Sequence, residues 1–281
     1  MKKNIKRHDF NETLINNRFT YFTDRLSKYP EVLERKPENA GTIFRQAYDA
    51  IGDGVVAKQS KKDILILLKA AKDLGVNHFR NAMNPEEAEL QLGNQIFKVA
   101  TVRTNLSYTD PFYWTKYFYT ALLSRDRKAI DELISIPEDF MRKAQILYDE
   151  VDFAIVRFLK GLYQPNVNLG SLLKEALLLT DPDKHEPARF DYLMYLKFPE
   201  LNLYSLIFSN DNEGFNEALL EALECHKKFW SKKSNNNDPG GWISFPILCA
   251  CLIAVNSKKY TIDVESDYLP MWLITGDMTE D

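Results

Sequence analysis

The sequence contains few of the residues that secretion and disulfide-based stability require. Three cysteines occur among 281 residues, and their spacing does not suggest a disulfide framework, which favours a reducing cytoplasm. The first residues, MKKNIKR, are basic, but polar residues follow them instead of the apolar core of a signal peptide. The longest apolar runs fall short of the ~20 residues that cross a bilayer. We therefore expect a cytoplasmic protein without a membrane-spanning segment.

Sequence motifs for catalysis and metal binding are also missing. The chain contains no GxSxG, no phosphate-binding glycine loop and no dinucleotide fingerprint. No compact metal-ligand spacing such as HExxH or HxH includes its histidines, which are His8, His78, His185 and His226. Cys249 and Cys251 lie within the apolar run ILCACLIA, which is typical of thiols packed in a core. We predict no catalytic residue, no metal site and no cofactor.

Apolar residues are plentiful, and most of them recur at helical spacing. Hydrophobic residues make up 45% of the chain, which excludes disorder and suffices for a full core. Apolar positions three and four residues apart predict helices over most of the length. One helix is predicted to begin after Ser60 and to end near Gly75. Asn84 followed by Pro85 predicts the start of another short helix.

Alternating polar and apolar residues mark an exception to this pattern. Residues 89–103 alternate around Gly93 and Asn94, which predicts a minor β-hairpin. Residues 260–270 are expected to be extended and irregular. Because nearly all other segments have helical periodicity, we predict an all-α fold of stacked antiparallel helix pairs. We expect one compact domain over residues 1–281.

Aromatic residues cluster in the segment YWTKYFY at 113–119. Such clusters bind single-stranded nucleic acids when a basic groove runs beside the stacked rings. The residues next to this cluster are only mildly basic. We interpret the cluster as core packing between helices, and we expect no nucleic-acid partner.

Negative charge is concentrated in the last third of the chain. The net charge is −4. Stretches 198–226 and 260–281 contain no Lys or Arg, and each holds six acidic residues. The rest of the chain is therefore net basic. An acidic surface repels phosphates and attracts basic proteins.

The densest acidic element is a predicted helix over residues 212–226. Its apolar residues share one face, whereas Glu213, Glu217, Glu221 and Glu224 gather on the opposite face. Like charges four residues apart destabilise a helix by a few tenths of a kcal/mol, roughly, so this face is unfavourable for stability. It is either an ordinary solvated face or a face retained for a basic partner.

If the face is retained for a basic partner, acidic residues near the end of the sequence are expected to lie close to it in the folded protein. The predicted partner contacts are Glu213, Glu217, Glu221, Asp263, Glu265 and Asp267.

Four segments of the sequence share a pattern with a known protein family. They are FYWTKYFYTALLSRDRKAIDELISIP (112–137), FPELNLYSLIFSNDNEGFNEALLEALECHKKFW (198–230), DPGGWISFPILCACLIA (238–254) and YTIDVESDYLPMWLI (260–274). In the last three segments the chain resembles the immunity protein 49 family at Pro199, Asn202, Leu203, Phe215–Leu219, His226, Lys227, Trp230, Asp238, Gly241 and Ile262–Pro270. Asp267 replaces a glutamate of the pattern, and residues 242–245 stand where smaller residues are expected. Residues 1–100 match only in helical character.

The resemblance implies a bacterial immunity protein of a polymorphic or contact-dependent toxin system. Such a protein binds the toxin made beside it, so that the producing cell survives. The partner expected on this basis is the C-terminal toxin domain encoded by a neighbouring gene, and a basic nuclease is one such toxin. The family-like part is expected at about 108–275, with the helices of residues 1–100 packed on it.

Two other functions stay open at this point. One is an enzyme that reverses a toxin's modification, and the other is a helical-repeat adaptor unrelated to toxins. An enzyme would protect at far below one copy per toxin molecule, whereas an inhibitor acts stoichiometrically. The oligomeric state does not follow from the sequence.

Overall fold

The structure, a computed structural model, describes residues 3–11, 13, 15–84, 86–100, 106–144, 146 and 148–279. The chain divides into two compact units. The N-terminal unit consists of residues 13–156. The C-terminal unit consists of residues 3–11 together with residues 157–279. The expectation of a single domain stays a prediction.

Helices dominate both units. They are α1 (Ile15–Thr23), α2 (Tyr29–Arg35), α3 (Ala40–Val56), α4 (Lys61–Met83), α5 (Pro111–Leu123), α6 (Arg127–Ser135), α7 (Glu138–Met141), α8 (Glu150–Gly161), α9 (Leu169–Leu179), α10 (Phe190–Tyr192), α11 (Phe198–Ser209), α12 (Asn212–Trp230), α13 (Phe245–Lys258) and α14 (Met271–Thr275). The strands are β1 (Lys3–Ile5), β2 (Glu87–Leu92), β3 (Gln95–Ala100) and β4 (Val264–Ser266). The predicted all-α fold with a minor hairpin is confirmed.

The N-terminal unit is built around the pair of α3 and α4. Helix α1 packs on α3, α5 packs on α4, and α6 packs on α5. The aromatic residues of α5 form the centre of this core, as predicted, because Trp114, Tyr117 and Phe118 are fully buried. Tyr117 meets the ring of Phe44 edge to face at a centroid distance of 4.3 Å. The buried indole N–H of Trp114 donates to the carbonyl of Leu133 at 2.9 Å.

The hairpin of β2 and β3 is held on α4 by polar side chains. Gly93 turns the chain with a φ of +60°, which glycine adopts without strain. Its N–H donates to Oδ2 of Asp73 at 2.8 Å. The amide of Asn77 bonds both the N–H and the carbonyl of Gln91, at 3.0 and 2.6 Å. The predicted turn is confirmed, and residues 101–103 of the predicted hairpin lie outside the described residues.

The predictions of one helix end and of one short helix in this region are wrong. Helix α4 does not stop near Gly75 but continues to Met83. Gly75 instead allows close packing, because a Cβ there would lie 2.6 Å from Cδ1 of Tyr117. The short helix expected after Asn84 is replaced by strand β2, which begins at Glu87. The alternation of β2 buries one face against α4, and this burial outweighs the local helix-start signal.

The C-terminal unit is assembled around α11. This helix packs on α9, α12 and α13, and α14 packs on α13. Strands β1 and β4 form a two-stranded parallel sheet, and both strands contact α12. The expectation that all apolar runs are too short to cross a membrane is wrong for one stretch, because Pro239–Lys258 is apolar and long enough by length and composition. However, 67% of its most apolar 18 residues are buried inside the protein, which is also typical of a core helix.

The tight contact at Gly75 gives a stability prediction. Gly75→Ala should lower the free energy of unfolding by about 1–3 kcal/mol, although alanine favours helices, because the fully buried Tyr117 ring has no space to move. Urea unfolding measures the change. The matched control is Gly170→Ala in α9, where a Cβ would meet only Oδ1 of Asn168 at 3.5 Å. The control should leave stability unchanged or raise it by up to ~1 kcal/mol. Equal effects of the two substitutions would contradict the packing of α5 on α4.

Candidate functional site

Helix α12 carries the acidic residues selected from the sequence. Its N-terminus is capped by Asp211, whose Oδ1 accepts the N–H of Gly214 at 2.8 Å. Apolar side chains such as Phe215, Leu219 and Leu223 are fully buried on one face. Because this face anchors the helix in the unit, the opposite face is free to carry charge.

The opposite face of α12 is exposed and acidic. Its exposed carboxylates are those of Glu213, Glu217, Glu221 and Glu224. In the described part of the chain, none of these four forms an ion pair. The first three follow one another at four-residue intervals, which correspond to ~6 Å steps along the axis. Among the described residues the helix therefore presents a row of carboxylates that make no ion pair.

Residues 261–263 lie directly against this helix. Oδ1 of Asn216 accepts the N–H of Asp263 at 2.8 Å, and its Nδ2 donates to the carbonyl of Thr261 at 2.9 Å. Nδ2 of Asn212 donates to Oγ1 of Thr261 at 3.1 Å. Asp263, which is exposed, is thereby held beside the first two turns of α12. The structure thus places this residue beside the helix that carries the glutamate row.

The other two acidic residues of this region have different surroundings. Glu265 lies exposed on β4. Asp267 is half-buried, and its Oδ2 accepts the backbone N–H of Arg7 at 3.1 Å. Oδ1 of Asp267 lies 3.6 Å from Nζ of Lys6. Asp267 therefore has contacts within the protein itself. The assignment of the six residues as partner contacts stays a prediction. We call residues 263–267 the acidic strip.

A buried cluster of rings fixes the acidic strip to α12. Tyr268 is fully buried, and its Oη lies 2.9 Å from both the backbone nitrogen and Nδ1 of His8. The ring of Tyr268 also meets His226 of α12 edge to face at 4.7 Å. The ring of His8 stacks on Trp242 at 5.6 Å. The strip is thus positioned by rings from three different parts of the sequence.

Glycine is required where this cluster meets the end of α12. Asp238, Gly240 and Gly241 form a turn, in which Oδ1 of Asp238 accepts the N–H of Gly240 at 2.8 Å. A Cβ on Gly241 would lie 2.7 Å from the indole of Trp230. The space at these glycines is therefore filled by the protein's own tryptophan.

Sequence reasoning missed a buried ion pair at a π-helical segment. Residues Leu193–Lys197 form this segment between α10 and α11. Nζ of Lys197 lies 3.2 Å from Oε2 of Glu200, and both side chains are buried. Phe198, the next residue, is 40% exposed. Glu200 belongs to the acidic stretch 198–226, but because it is 1% exposed it adds nothing to the acidic surface.

The N-terminal unit contains a small polar cavity of about 30 Å³. Its lining includes Lys72, Asp73, Arg80, Asp126 and Glu132. Lys72 pairs with both aspartates, and the Arg80 guanidinium pairs with Glu132 through two nitrogens. The cavity has room for about two water molecules. With Lys128, which also lines the cavity, three cations balance three carboxylates, so the cavity is suited to structural water and too small for an organic substrate.

Cysteines and other metal-binding side chains are not grouped in the part of the chain that the structure describes. There, no three residues among His, Cys, Asp and Glu are arranged to hold a metal ion. Cys249 and Cys251 are fully buried in α13, in agreement with the core packing predicted for them. Burial raises the pKa of the Cys249 thiol well above its ordinary value, which disfavours the reactive thiolate.

Comparison with known proteins gives one family. A model described as immunity protein 49 matches residues 54–273. The match begins at residue 54, upstream of residue 108, where the family-like part was expected to start. No curated protein and no solved structure gives a significant match.

The ring cluster gives a prediction for the pH dependence of stability. Burial lowers the pKa of His226 from 6.5 to about 3. In the unfolded chain His226 regains its ordinary pKa, so below pH 6.5 the unfolded state binds a proton that the folded state does not. Stability should therefore fall as the pH decreases from 6.5 towards 3, by up to ~1.4 kcal/mol per pH unit from this residue.

The contribution of His226 can be isolated by substitution. His226→Gln retains a donor for the carbonyl of Gly241, and its free energy of unfolding should decrease less steeply than that of the wild type between pH 6 and pH 4. His185→Gln, at a half-buried histidine in the same unit, is the control. Parallel pH profiles for wild type and His226→Gln would show that His226 does not titrate in this way.

Proposed function

The chain belongs to the immunity protein 49 family, and from this we propose that it protects a bacterial cell by binding a protein toxin and blocking it stoichiometrically. The observation that carries the proposal is the match of the family over residues 54–273. The proposed place of action is the cytoplasm, and the proposed partner is the C-terminal toxin domain encoded by a neighbouring gene.

The acidic face of α12 supports a basic partner. Uncompensated glutamates at four-residue spacing weaken a helix, so their presence has a cost in stability. Complementary charge on a partner removes that cost and accelerates association through long-range attraction. A toxin that acts on nucleic acid needs a basic surface, because its substrate is a polyanion. A basic nuclease domain is therefore the proposed toxin class.

Growth rescue tests the proposed function directly. The toxin domain of the neighbouring gene product is induced in a sensitive host with and without this chain. Rescue together with a stable co-purifying complex is expected. Rescue without any complex would instead support the alternative function, an enzyme that reverses the toxin's modification.

Stoichiometry separates the inhibitor from that enzyme. Titration of a fixed amount of toxin domain with this protein should abolish toxin activity at an equimolar ratio, because each molecule blocks one partner. The measurement is residual toxin activity against molar ratio. Complete protection at a small fraction of one equivalent would exclude stoichiometric blocking.

Charge reversal tests the acidic face. Glu217→Lys/Glu221→Lys should weaken toxin binding about tenfold or more and flatten its dependence on salt, because the attraction is long-range and screened by ions. Calorimetry or surface plasmon resonance at several salt concentrations measures both effects.

The control variant for charge reversal is Asp183→Lys/Glu186→Lys. It makes the same change in net charge at two exposed residues of the same unit that are not part of α12. It should retain toxin affinity. An equal loss in both variants would assign the effect to net charge alone, and no loss in either would remove the α12 face from the binding site.

A further inference from the structure

Residues 3–8 lie on the acidic strip as an extended basic segment. Strand β1 runs parallel to β4, with Lys3 opposite Val264 and Ile5 opposite Ser266. The carbonyl of Ile5 accepts the N–H of Asp267 at 3.2 Å and the hydroxyl of Ser266 at 3.1 Å. The strip is therefore able to hold an extended chain through main-chain hydrogen bonds.

Arg7 is the residue through which the strip recognises this segment. Its Nε donates to the carbonyl of Trp242 at 2.8 Å, and its Nη2 donates to the carbonyl of Asp267. Its backbone N–H donates to the carboxylate of Asp267. The two carbonyls accept from the guanidinium and therefore select an arginine. The carboxylate accepts from a backbone N–H, which any non-proline residue supplies, and the burial of Ile5 adds a requirement for an apolar side chain.

The pairing of the segment with the strip is short and partly exposed. The ladder covers three residues on each strand, and a two-stranded sheet of this size depends on packing against a helix, which here is α12. Lys6 is 69% exposed where it approaches Asp267, and such surface pairs contribute little. The carboxylate of Asp263 remains exposed beside the segment. The strip therefore still offers negative charge to a second basic chain.

We propose that the acidic strip is a receptor for an extended, arginine-bearing segment of the toxin, which pairs with β4 in place of residues 3–7. The inference rests on the proposed function and specifies the recognition mode of the partner as β-strand addition with charge complementarity. The protein's own segment occupies the receptor until the partner arrives, and its release exposes both the edge of β4 and the carboxylate of Asp267.

A reversible crosslink tests the exchange in the full-length protein. Asn4 and Glu265 are opposite one another in the register and are both exposed. Asn4→Cys/Glu265→Cys, made in a Cys225→Ser background, locks the segment on the strip when oxidised and frees it when reduced. The reduced form is the matched control, because it has the same sequence.

The probe is a fluorescein-labelled peptide with the sequence of residues 3–7, KNIKR. Its binding is followed by fluorescence anisotropy. The reduced protein should bind the peptide at least about tenfold more tightly than the oxidised protein. The same peptide with alanine at its arginine should bind neither form.

A second variant tests the exchange without a crosslink. Arg7→Ala removes both guanidinium hydrogen bonds of the protein's own segment. The full-length variant should therefore bind the peptide about tenfold more tightly than the wild type, and added salt should weaken this binding. Equal binding by the oxidised and reduced proteins, or no binding by the Arg7→Ala variant, would overturn the proposal.

Growth rescue distinguishes failure of this inference from failure of the proposed function. Residues 3–7 cannot leave the strip in the crosslinked protein, so the oxidised form should not form a complex with the toxin domain in vitro. If the oxidised form binds the toxin as tightly as the reduced form, strand exchange is wrong while stoichiometric inhibition stands. Failure of the wild type to rescue growth would instead remove the proposed function.

Discussion

The arrangement of the C-terminal unit depends on one buried hydroxyl group. A phenol that is removed from water must find a hydrogen-bond partner inside the protein or lose stability. For Tyr268 that partner is His8, which bonds the hydroxyl through both its backbone and its ring. Since His226 packs against the same tyrosine ring, the hydroxyl determines where residues 3–8, the acidic strip and α12 meet.

Helix α12 combines two roles that are separated by its faces. Its apolar face holds it in the core, while Asn212 and Asn216 hold residues 261–263 along its side. The remaining surface is the acidic face. Because the apolar side chains and the glutamates occupy different faces, replacing the glutamates should leave the packing of the apolar face intact.

Much of this architecture is predictable from local patterns. The caps at Ser60 and Asp110, the turn at Gly93 and the apolar face of α12 each follow from residues close together in sequence. Local patterns gave wrong or missing predictions where contacts between residues distant in the sequence determine the structure. Gly75 has the sequence features of a helix end, but it is a contact point for Tyr117. Strand β1 has three residues, and its partner strand follows more than 250 positions later, so no local periodicity could reveal it.

The buried Lys197–Glu200 pair was missed for a different reason. The segment from Leu193 to Ser209 is apolar on every side, so periodicity does not indicate which side faces the core. The π-helical turn then changes the direction of the side chains that follow it. A charged residue therefore lies inside while its aromatic neighbour Phe198 lies outside.

The contact between His8 and Tyr268, 260 positions apart in the chain, also has a consequence for biosynthesis. All residues of the N-terminal unit, 13–156, leave the ribosome before the acidic strip is synthesised. The segment that contains His8 is made earlier still, yet it must wait for the acidic strip. At synthesis rates of 5–20 residues per second, that wait is roughly 13–50 s. A long-range closure of this kind is slow, because chain entropy is lost before the contact forms. The acidic strip therefore takes its final form late, near the end of translation.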